Sequence, residues 1–451
     1  MAHNKRLDRH RAIERFQEIL RLETVSARLH EESVSGAFQD FFAAVPRLYP
    51  NLARTARFTS DPPYRLVIDV PGTDPTLEPL LIVAHYDVVD ASPEGWTHDP
   101  FGGELVDGTI YSRGAIDDKG PLCAILEAAD ALVAGGFKRG LVLAFGGDEE
   151  LSGTSGAAQN AAAFAAEGRR FHAVVDEGGI VSVGMLANPA RPIALIGVAE
   201  KGFVNIEISA AGEEGHASMP PSRTSVGFLA EAIHTVERNP HATAMLGSIE
   251  EFFRAVAVYA TGPLRFIYKH PRLFRRVILS ILAKKPASAA LARTTQAVTR
   301  AHGSEAANVL PNRARAVVNV RILPGESIES VLGRYRRLLR RLPVTIDVAE
   351  EGGASEPVPE SSTDHSTYRA ISEALAEVHP DAIAAPFLVT GSTDSKYYAP
   401  LADAVFRHVP VRMRTADLSM VHGTDERISV DDYLKLVRFY QILFEKECLG
   451  G

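Results

Sequence analysis

Residues 80–89 read Leu-Leu-Ile-Val-Ala-His-Tyr-Asp-Val-Val. Only His85 and Asp87 interrupt this apolar run, which is the pattern of a strand buried on both faces. Working outward, residues 120–134 place Leu122, Ile125, Leu126 and Ala129 on one side of a helix that Gly135-Gly136 stops. Residues 140–147 (Gly-Leu-Val-Leu-Ala-Phe-Gly-Gly) read as a second buried strand, 156–167 as an Ala-rich helix and 172–175 as a third strand. Strand, helix, strand, helix, strand requires parallel crossovers, so the predicted fold is α/β with a mostly parallel sheet and helices on both faces. Sheets of this kind place ligands at the carboxyl ends of their strands.

After about Lys201 the pattern changes. Residues 203–211 alternate (Phe-Val-Asn-Ile-Glu-Ile-Ser-Ala-Ala), as in a sheet with one wet face. A helix is expected over 225–238, and strands over 316–323 and 344–349 flank a basic helix at 331–341. This predicts a main domain in two parts, 1–200 and 354–451, with an α+β unit inserted at 201–353. Within the insert, 246–300 reads as helical throughout. Glu356-Pro-Val-Pro359 reads as a linker, 366–379 as a helix, and Ser429 with Asp431-Asp432 opens a terminal helix.

The chain has 451 residues, 46% of them hydrophobic and 23% charged, enough for two or three globular domains. Two cysteines, Cys123 and Cys448, exclude a disulfide framework and a Cys-rich zinc module. The opening Met-Ala-His-Asn-Lys-Arg lacks the apolar core of a signal peptide, so a reducing, cytoplasmic setting is expected. A formal net charge of -8 argues against nucleic acid as a partner, because that binding rests on neutralising phosphates.

The acids and histidines fall where the strands end. His85 and Asp87, two apart, leave a strand on the same face. Asp117-Asp118 close a turn before a helix, Glu149-Glu150 follow the strand ending at 147, and Asp176-Glu177 follow the strand ending at 175. An acidic pair before a helix is commonly a cap, but caps need no shared sheet edge. Like charges gathered at one edge repel unless a cation neutralises them. Imidazole with carboxylates and no thiolate suits zinc, cobalt or manganese rather than calcium, and an acid that can bridge suggests two ions about 3.5 Å apart.

These residues belong to ordered motifs. Ala-His-Tyr-Asp-Val-Val (84–89), Gly-Trp-Thr-His-Asp-Pro-Phe (95–101), Tyr-Ser-Arg-Gly-Ala-Ile-Asp-Asp-Lys-Gly (111–120), Gly-Asp-Glu-Glu-Leu-Ser-Gly (147–153) and Asp-Glu-Gly-Gly (176–179) are followed by Gly-Glu-Glu-Gly-His-Ala-Ser (212–218), Asn-Val-Leu-Pro (308–311) and His-Gly-Thr-Asp-Glu-Arg-Ile (422–428). In this order they resemble, over nearly the whole chain, the di-zinc amidohydrolases and exopeptidases of the aminoacylase-1, carboxypeptidase S and glutamate carboxypeptidase family. The nearest branch is that of carboxypeptidase S and the N-fatty-acyl-amino-acid hydrolases.

The resemblance implies a zinc exopeptidase-like fold with an inserted lid and dimerisation domain, and two Zn2+ per subunit, with Co2+ or Mn2+ as alternatives. It implies that Asp117 bridges the ions, that His85 and either Asp176 or Glu177 complete one site, and that Glu150 and His422 complete the other. Glu149 would be the general base, Asp87 would accept the second ring N–H of His85, and the Asp117-Asp118 peptide would be cis. His216 would reach a neighbouring subunit's site to stabilise the oxyanion, making the enzyme a homodimer. Asn308 and Arg321 would grip the substrate carboxylate, although a structural salt bridge also accounts for Arg321. Ser392, in Thr-Gly-Ser-Thr-Asp, would add a hydrogen bond. His98 is left structural. The implied reaction is hydrolysis of an amide beside a free α-carboxylate, in an N-acyl amino acid or at a peptide's carboxyl end. The alternative, a non-catalytic metal-binding or dimerisation module, would be free to lose Glu149 or a ligand, and every position is filled.

Residues 271–285 put Leu273, Phe274, Val277, Ile278, Ile281 and Leu282 on one helical stripe, with Arg275, Arg276, Lys284 and Lys285 mainly off it. Such a helix can make a peripheral membrane contact or line a slot for an acyl chain. The plain alternative is that the stripe packs into the lid core.

Overall fold

The computed structural model describes residues 8–350, 352–414 and 416–450; the amino-terminal hexapeptide on which the leader reading rests lies outside them. The strand Leu80–His85 lies near the centre of a ten-stranded sheet, hydrogen-bonded in parallel to Leu141–Gly146 on one side and Ala173–Asp176 on the other. Val405–Arg407 continues the parallel part beyond Ala173–Asp176, and antiparallel partners such as Arg65–Val70 extend it outward. The predicted α/β sheet is thus observed.

Its two faces are covered by different layers. Leu80, Ile82 and Ala84 pack with Leu122, Ile125 and Leu126 of the helix Lys119–Leu132 and with the terminal helix Val430–Cys448. The intervening Leu81 and Val83 pack with Ala157, Ala161 and Phe164 of the helix Ala157–Ala166. The chain therefore leaves the central strand over one face and returns over the other. The crevice between diverging connections opens at the carboxyl end of Leu80–His85, where His85 sits. The terminal helix starts as read: the Ser429 side chain accepts the N–H of Asp432 at 3.0 Å.

A second sheet of five strands centres on Gly202–Ala211 and Arg313–Ile322, antiparallel over their full lengths. One face buries Val204, Ile206, Ile208, Val318 and Val320 beneath the helices Ser225–Arg238 and Ile328–Leu338.

The reading of 246–300 as helical throughout is corrected. The segment contains four short helices, Gly247–Ala257, Gly262–Lys269, Arg275–Leu282 and Pro286–Ala290, and ends in the strand Thr295–His302. Pro263, Pro271 and Pro286 lack the N–H that a continuing helix needs, so they restart or interrupt it. Thr294, Thr295, Val298 and Thr299 are β-branched, and the strand Thr295–His302 pairs with Arg313–Ile322. The stripe at 273–282 also divides: Ile278 and Leu279 are buried with Ile249 and Ala292, whereas Leu273, Val277 and Ile281 are exposed.

Candidate metal centre

Three neighbouring strands deliver the site. Leu80–His85 ends on buried His85; Leu141–Gly146 runs into the single turn Glu149–Leu151; Ala173–Asp176 is followed by Glu177. The Asp117-Asp118 peptide is cis, as expected. His422 enters from the carboxyl-terminal stretch with φ +62°, a left-handed backbone that few side chains adopt.

These groups form two triads that share Asp117. His85 Nε2 lies 3.0 Å from Asp117 Oδ1 and 3.7 Å from Glu177 Oε1. His422 Nε2 lies 3.1 Å from Asp117 Oδ2 and 3.2 Å from Glu150 Oε1. Buried Glu150 Oε1 nonetheless makes no hydrogen bond of acceptable geometry. A tetrahedral ion with bonds of about 2.05 Å keeps its donors about 3.3 Å apart, and the histidine-to-carboxylate distances of the two triads, 3.0 to 3.7 Å, bracket that separation. The ligand atoms of His85, Asp117 and Glu150 also lie within 4.8 Å of one another, as do those of His85, Glu149 and Glu177. The donor chemistry and the spacing fit a pair of transition-metal ions.

The remaining carboxylates hold this arrangement. Asp87, fully buried, spends its two oxygens on the N–H groups of Glu149 and Glu150, at 3.1 and 3.2 Å. The second nitrogen of His85 lies 3.0 Å from the Asp87 carbonyl oxygen and 3.3 Å from its carboxylate, so the backbone, rather than the side chain as expected, is the nearer partner. Asp176 turns away: its Oδ1 accepts the N–H of Glu177 at 2.9 Å and its Oδ2 that of Ser395 at 2.7 Å.

Burial pushes Glu149 and Glu177 well above the usual carboxyl range, and neighbouring acids add to it, Asp394 for Glu149 and Asp117 for Glu177. Burial acts on Asp117 in the same direction, but hydrogen bonds from His422 and His85 outweigh it and hold this carboxyl below its ordinary value. The carboxylates of Asp117 and Glu150 raise the His422 imidazole to about 10.

The other predicted residues lie elsewhere in the fold. His216, exposed, pairs with Val309 on a two-stranded ladder, beside Asn308, whose carbonyl accepts the N–H of Ala217 at 2.9 Å. The His216 Nδ1 contacts Ser218 Oγ at 2.7 Å, and none of its described contacts reaches the acidic cluster. Arg321 lies over the Phe203 ring at 4.7 Å, and burial lowers its pKa. Ser392 Oγ accepts from Lys396 at 3.1 Å. His98 lies tilted against the Tyr111 ring at 4.2 Å between centroids and meets Glu104 at 3.0 Å.

Two acids escaped the sequence reading. Glu426, inside the motif that carries His422, accepts the N–H groups of Ile116 and Asp117 at 2.8 and 3.1 Å and pairs with buried Arg113 at 2.5 Å. Arg113 in turn donates to the Gly423 carbonyl at 2.8 Å, so one buried pair fastens the Asp117 turn to the His422 turn. Glu426→Ala strands a buried guanidinium and two amides, and is expected to cost about 3–5 kcal/mol of stability, measured by urea unfolding. Asp394 is buried without a hydrogen bond to either oxygen, and burial raises it to about 8. It fits because Gly153 has no side chain: a Cβ there would lie 2.0 Å from Asp394 Oδ1.

The model of the peptidase family M20/M25/M40 matches residues 81–446. The chain is 33% identical over 413 residues to a probable carboxypeptidase S-like protein 2 of Dictyostelium discoideum, covering 90% of this chain and 79% of that one. It is 33% identical over 417 residues to the N-fatty-acyl-amino acid synthase/hydrolase PM20D1 of Homo sapiens, covering 91% and 82%. Among solved structures, an M20 family metallo-carboxypeptidase from Sulfolobus solfataricus superposes with a TM-score of 0.68 at 20% identity, over 97% of this chain and 99% of that one.

Proposed function

We propose that this chain, which belongs to the peptidase family M20/M25/M40, uses two divalent ions to hydrolyse an amide bond beside a free α-carboxylate. It is a metal-dependent hydrolase, and the observation that carries the finer reading is the pair of triads joined at Asp117. His85, Asp117 and Glu177 would hold one ion, and Asp117, Glu150 and His422 the other. Glu177 is preferred to Asp176 because both oxygens of Asp176 already accept backbone N–H groups. Zinc is the metal favoured by this donor set, with cobalt and manganese as substitutes. When bound, the ions polarise the amide carbonyl and lower the pKa of a water.

Glu149 would take a proton from the attacking water as the C–O bond forms and deliver it to the departing nitrogen as the C–N bond breaks, leaving a carboxylic acid and a free amine. Asp87 positions it, since its carboxylate holds the Glu149 and Glu150 N–H groups. The unit at 201–353 would act as lid and dimerisation element. From it, His216 of the partner subunit would donate to the oxyanion, while Asn308 and Arg321, with Ser392 from the catalytic domain, would fix the substrate carboxylate. The substrate class we favour is the N-acyl amino acid with a long acyl chain, supported by the PM20D1 relative; short peptides are the second class. Among the described residues no helix is long and apolar enough to cross a membrane, and the buried free thiols Cys123 and Cys448 support a reducing, cytoplasmic location.

The test is chelation followed by reconstitution, read as release of free amino acid from N-acetyl and long-chain N-acyl amino acids and dipeptides. Activity is expected to vanish with the metal and return with zinc, cobalt or manganese. The melting temperature should fall on chelation, because an ion at about a thousand times its dissociation constant contributes about 4 kcal/mol to the folded state. Undiminished hydrolysis by metal-free protein would overturn the reading, and equal turnover of N-acetyl and long-chain substrates would overturn the acyl preference.

A further inference from the structure

Residues 252–304 contain ten Lys and Arg and no Asp or Glu, in a chain whose acids outnumber its Lys and Arg by 56 to 48. Among the described residues, Arg254 and Arg272 of this stretch meet Glu250, whereas Arg265, Lys269, Arg275, Arg276, Lys284 and Lys285 have no acidic partner. The same segment concentrates exposed apolar side chains: of sixteen large ones exposed among the described residues, seven fall between 258 and 281.

The geometry explains why they remain outside. The helix Arg275–Leu282 is apolar on two sides. Ile278 and Leu279 face inward to Ile249 and Ala292, with Phe274 and Leu282 packed beside them. Leu273, Val277 and Ile281, spaced by four residues, form a separate outward row with exposures of 74%, 47% and 57%. Phe266, on the preceding helix Gly262–Lys269, adds a ring that is 56% exposed. A core-packing role therefore accounts for one stripe and leaves the other unexplained.

We propose that this face of the helical insert docks on an anionic lipid bilayer, with Phe266, Leu273, Val277 and Ile281 entering the acyl boundary and the unpaired cations lying among the headgroups. Charge complementarity selects the occupant. Six cations without partners, interleaved with apolar side chains on short surface helices, match a surface that offers an apolar layer beneath a sheet of negative charge. A second copy of this chain brings the same unpaired cations around the same apolar row, so a two-fold contact would bring like charges together.

The experiment uses the full chain and vesicles of phosphatidylcholine, either alone or with about one-third phosphatidylglycerol, read by co-sedimentation. The protein is expected to sediment with the anionic vesicles and not with the neutral ones, and to be released as salt rises from about 0.1 to about 0.5 M. Leu273→Ser combined with Ile281→Ser, and separately Arg275→Gln combined with Arg276→Gln, should each weaken binding at least about tenfold while leaving the melting temperature unchanged. No sedimentation with anionic vesicles, or equal sedimentation with both kinds, overturns the inference without recourse to a variant. So does loss of a stable oligomer in the Leu273/Ile281 variant, which would assign the face to a second copy. A variant that binds anionic vesicles like the parent overturns it as well.

Discussion

Glu149→Ala is expected to lower kcat by about two to four orders of magnitude, the usual contribution of a positioned general acid–base, with the metal content unchanged. The structure makes the second half of this statement the sharper one. The Glu149 ligand atom is also within 4.8 Å of those of His85 and Glu177, so the side chain could reach a metal instead of a proton. Its placement argues for the proton. Burial and neighbouring acids push its carboxyl upward just as they do that of Glu177, so the distinction rests on geometry: Glu150, its neighbour on the same turn, is the one held beside His422. Elemental analysis of the variant separates the roles: two ions retained with turnover lost supports the base, and loss of one ion makes Glu149 a ligand. Near-normal kcat would overturn both.

Asp117→Ala is expected to remove both ions and reduce hydrolysis to background. Each Asp117 oxygen lies about as far from one histidine as the other oxygen does from the second, 3.0 and 3.1 Å. The carboxylate is therefore common to the two triads. Unit charges about 4 Å apart interact by about 4 kcal/mol at an effective dielectric of 20, so losing the shared charge should weaken each ion's binding by at least about two orders of magnitude. His422→Ala, which touches only one triad, should leave one ion per chain. Titration of zinc into metal-free protein by calorimetry measures both variants, and retention of two ions by Asp117→Ala would show that the triads are independent.

Much of this architecture could be read from local pattern because it depends on short-range periodicity. The run 80–85 admits only a strand buried on both faces, and the helices on either side of 141–146 announce themselves by their spacing and their glycine stops. The acids could be placed at one edge because strand ends are positions in the chain. What stayed hidden depends on contacts far apart in sequence or on a rotation of one residue. Asp176 and Glu177 differ by half a strand repeat, and only the turn after Val175 decides which faces His85. Glu426 meets the amides of Ile116 and Asp117 across some three hundred residues, and no local pattern marks a glutamate as a receptor for them. Asp394 needs the vacancy at Gly153, a packing fact. The strand Thr295–His302 is hidden in the sequence because its neighbours are helical and alanine-rich, and its identity is settled by the partner Arg313–Ile322 rather than by its own composition.

The Arg113–Glu426 pair has a consequence for how the enzyme comes into being. His85 is made early in synthesis, yet the turn holding Asp117 has its amides satisfied only when Glu426 arrives. A chain still emerging from the ribosome therefore carries most of the acids with neither the clasp nor the second imidazole. If His422 holds an ion, hydrolytic competence is acquired only once residues 422–426 have joined the fold, and a nascent chain stalled before residue 422 would be an inert protein that already contains every strand of the ten-stranded sheet.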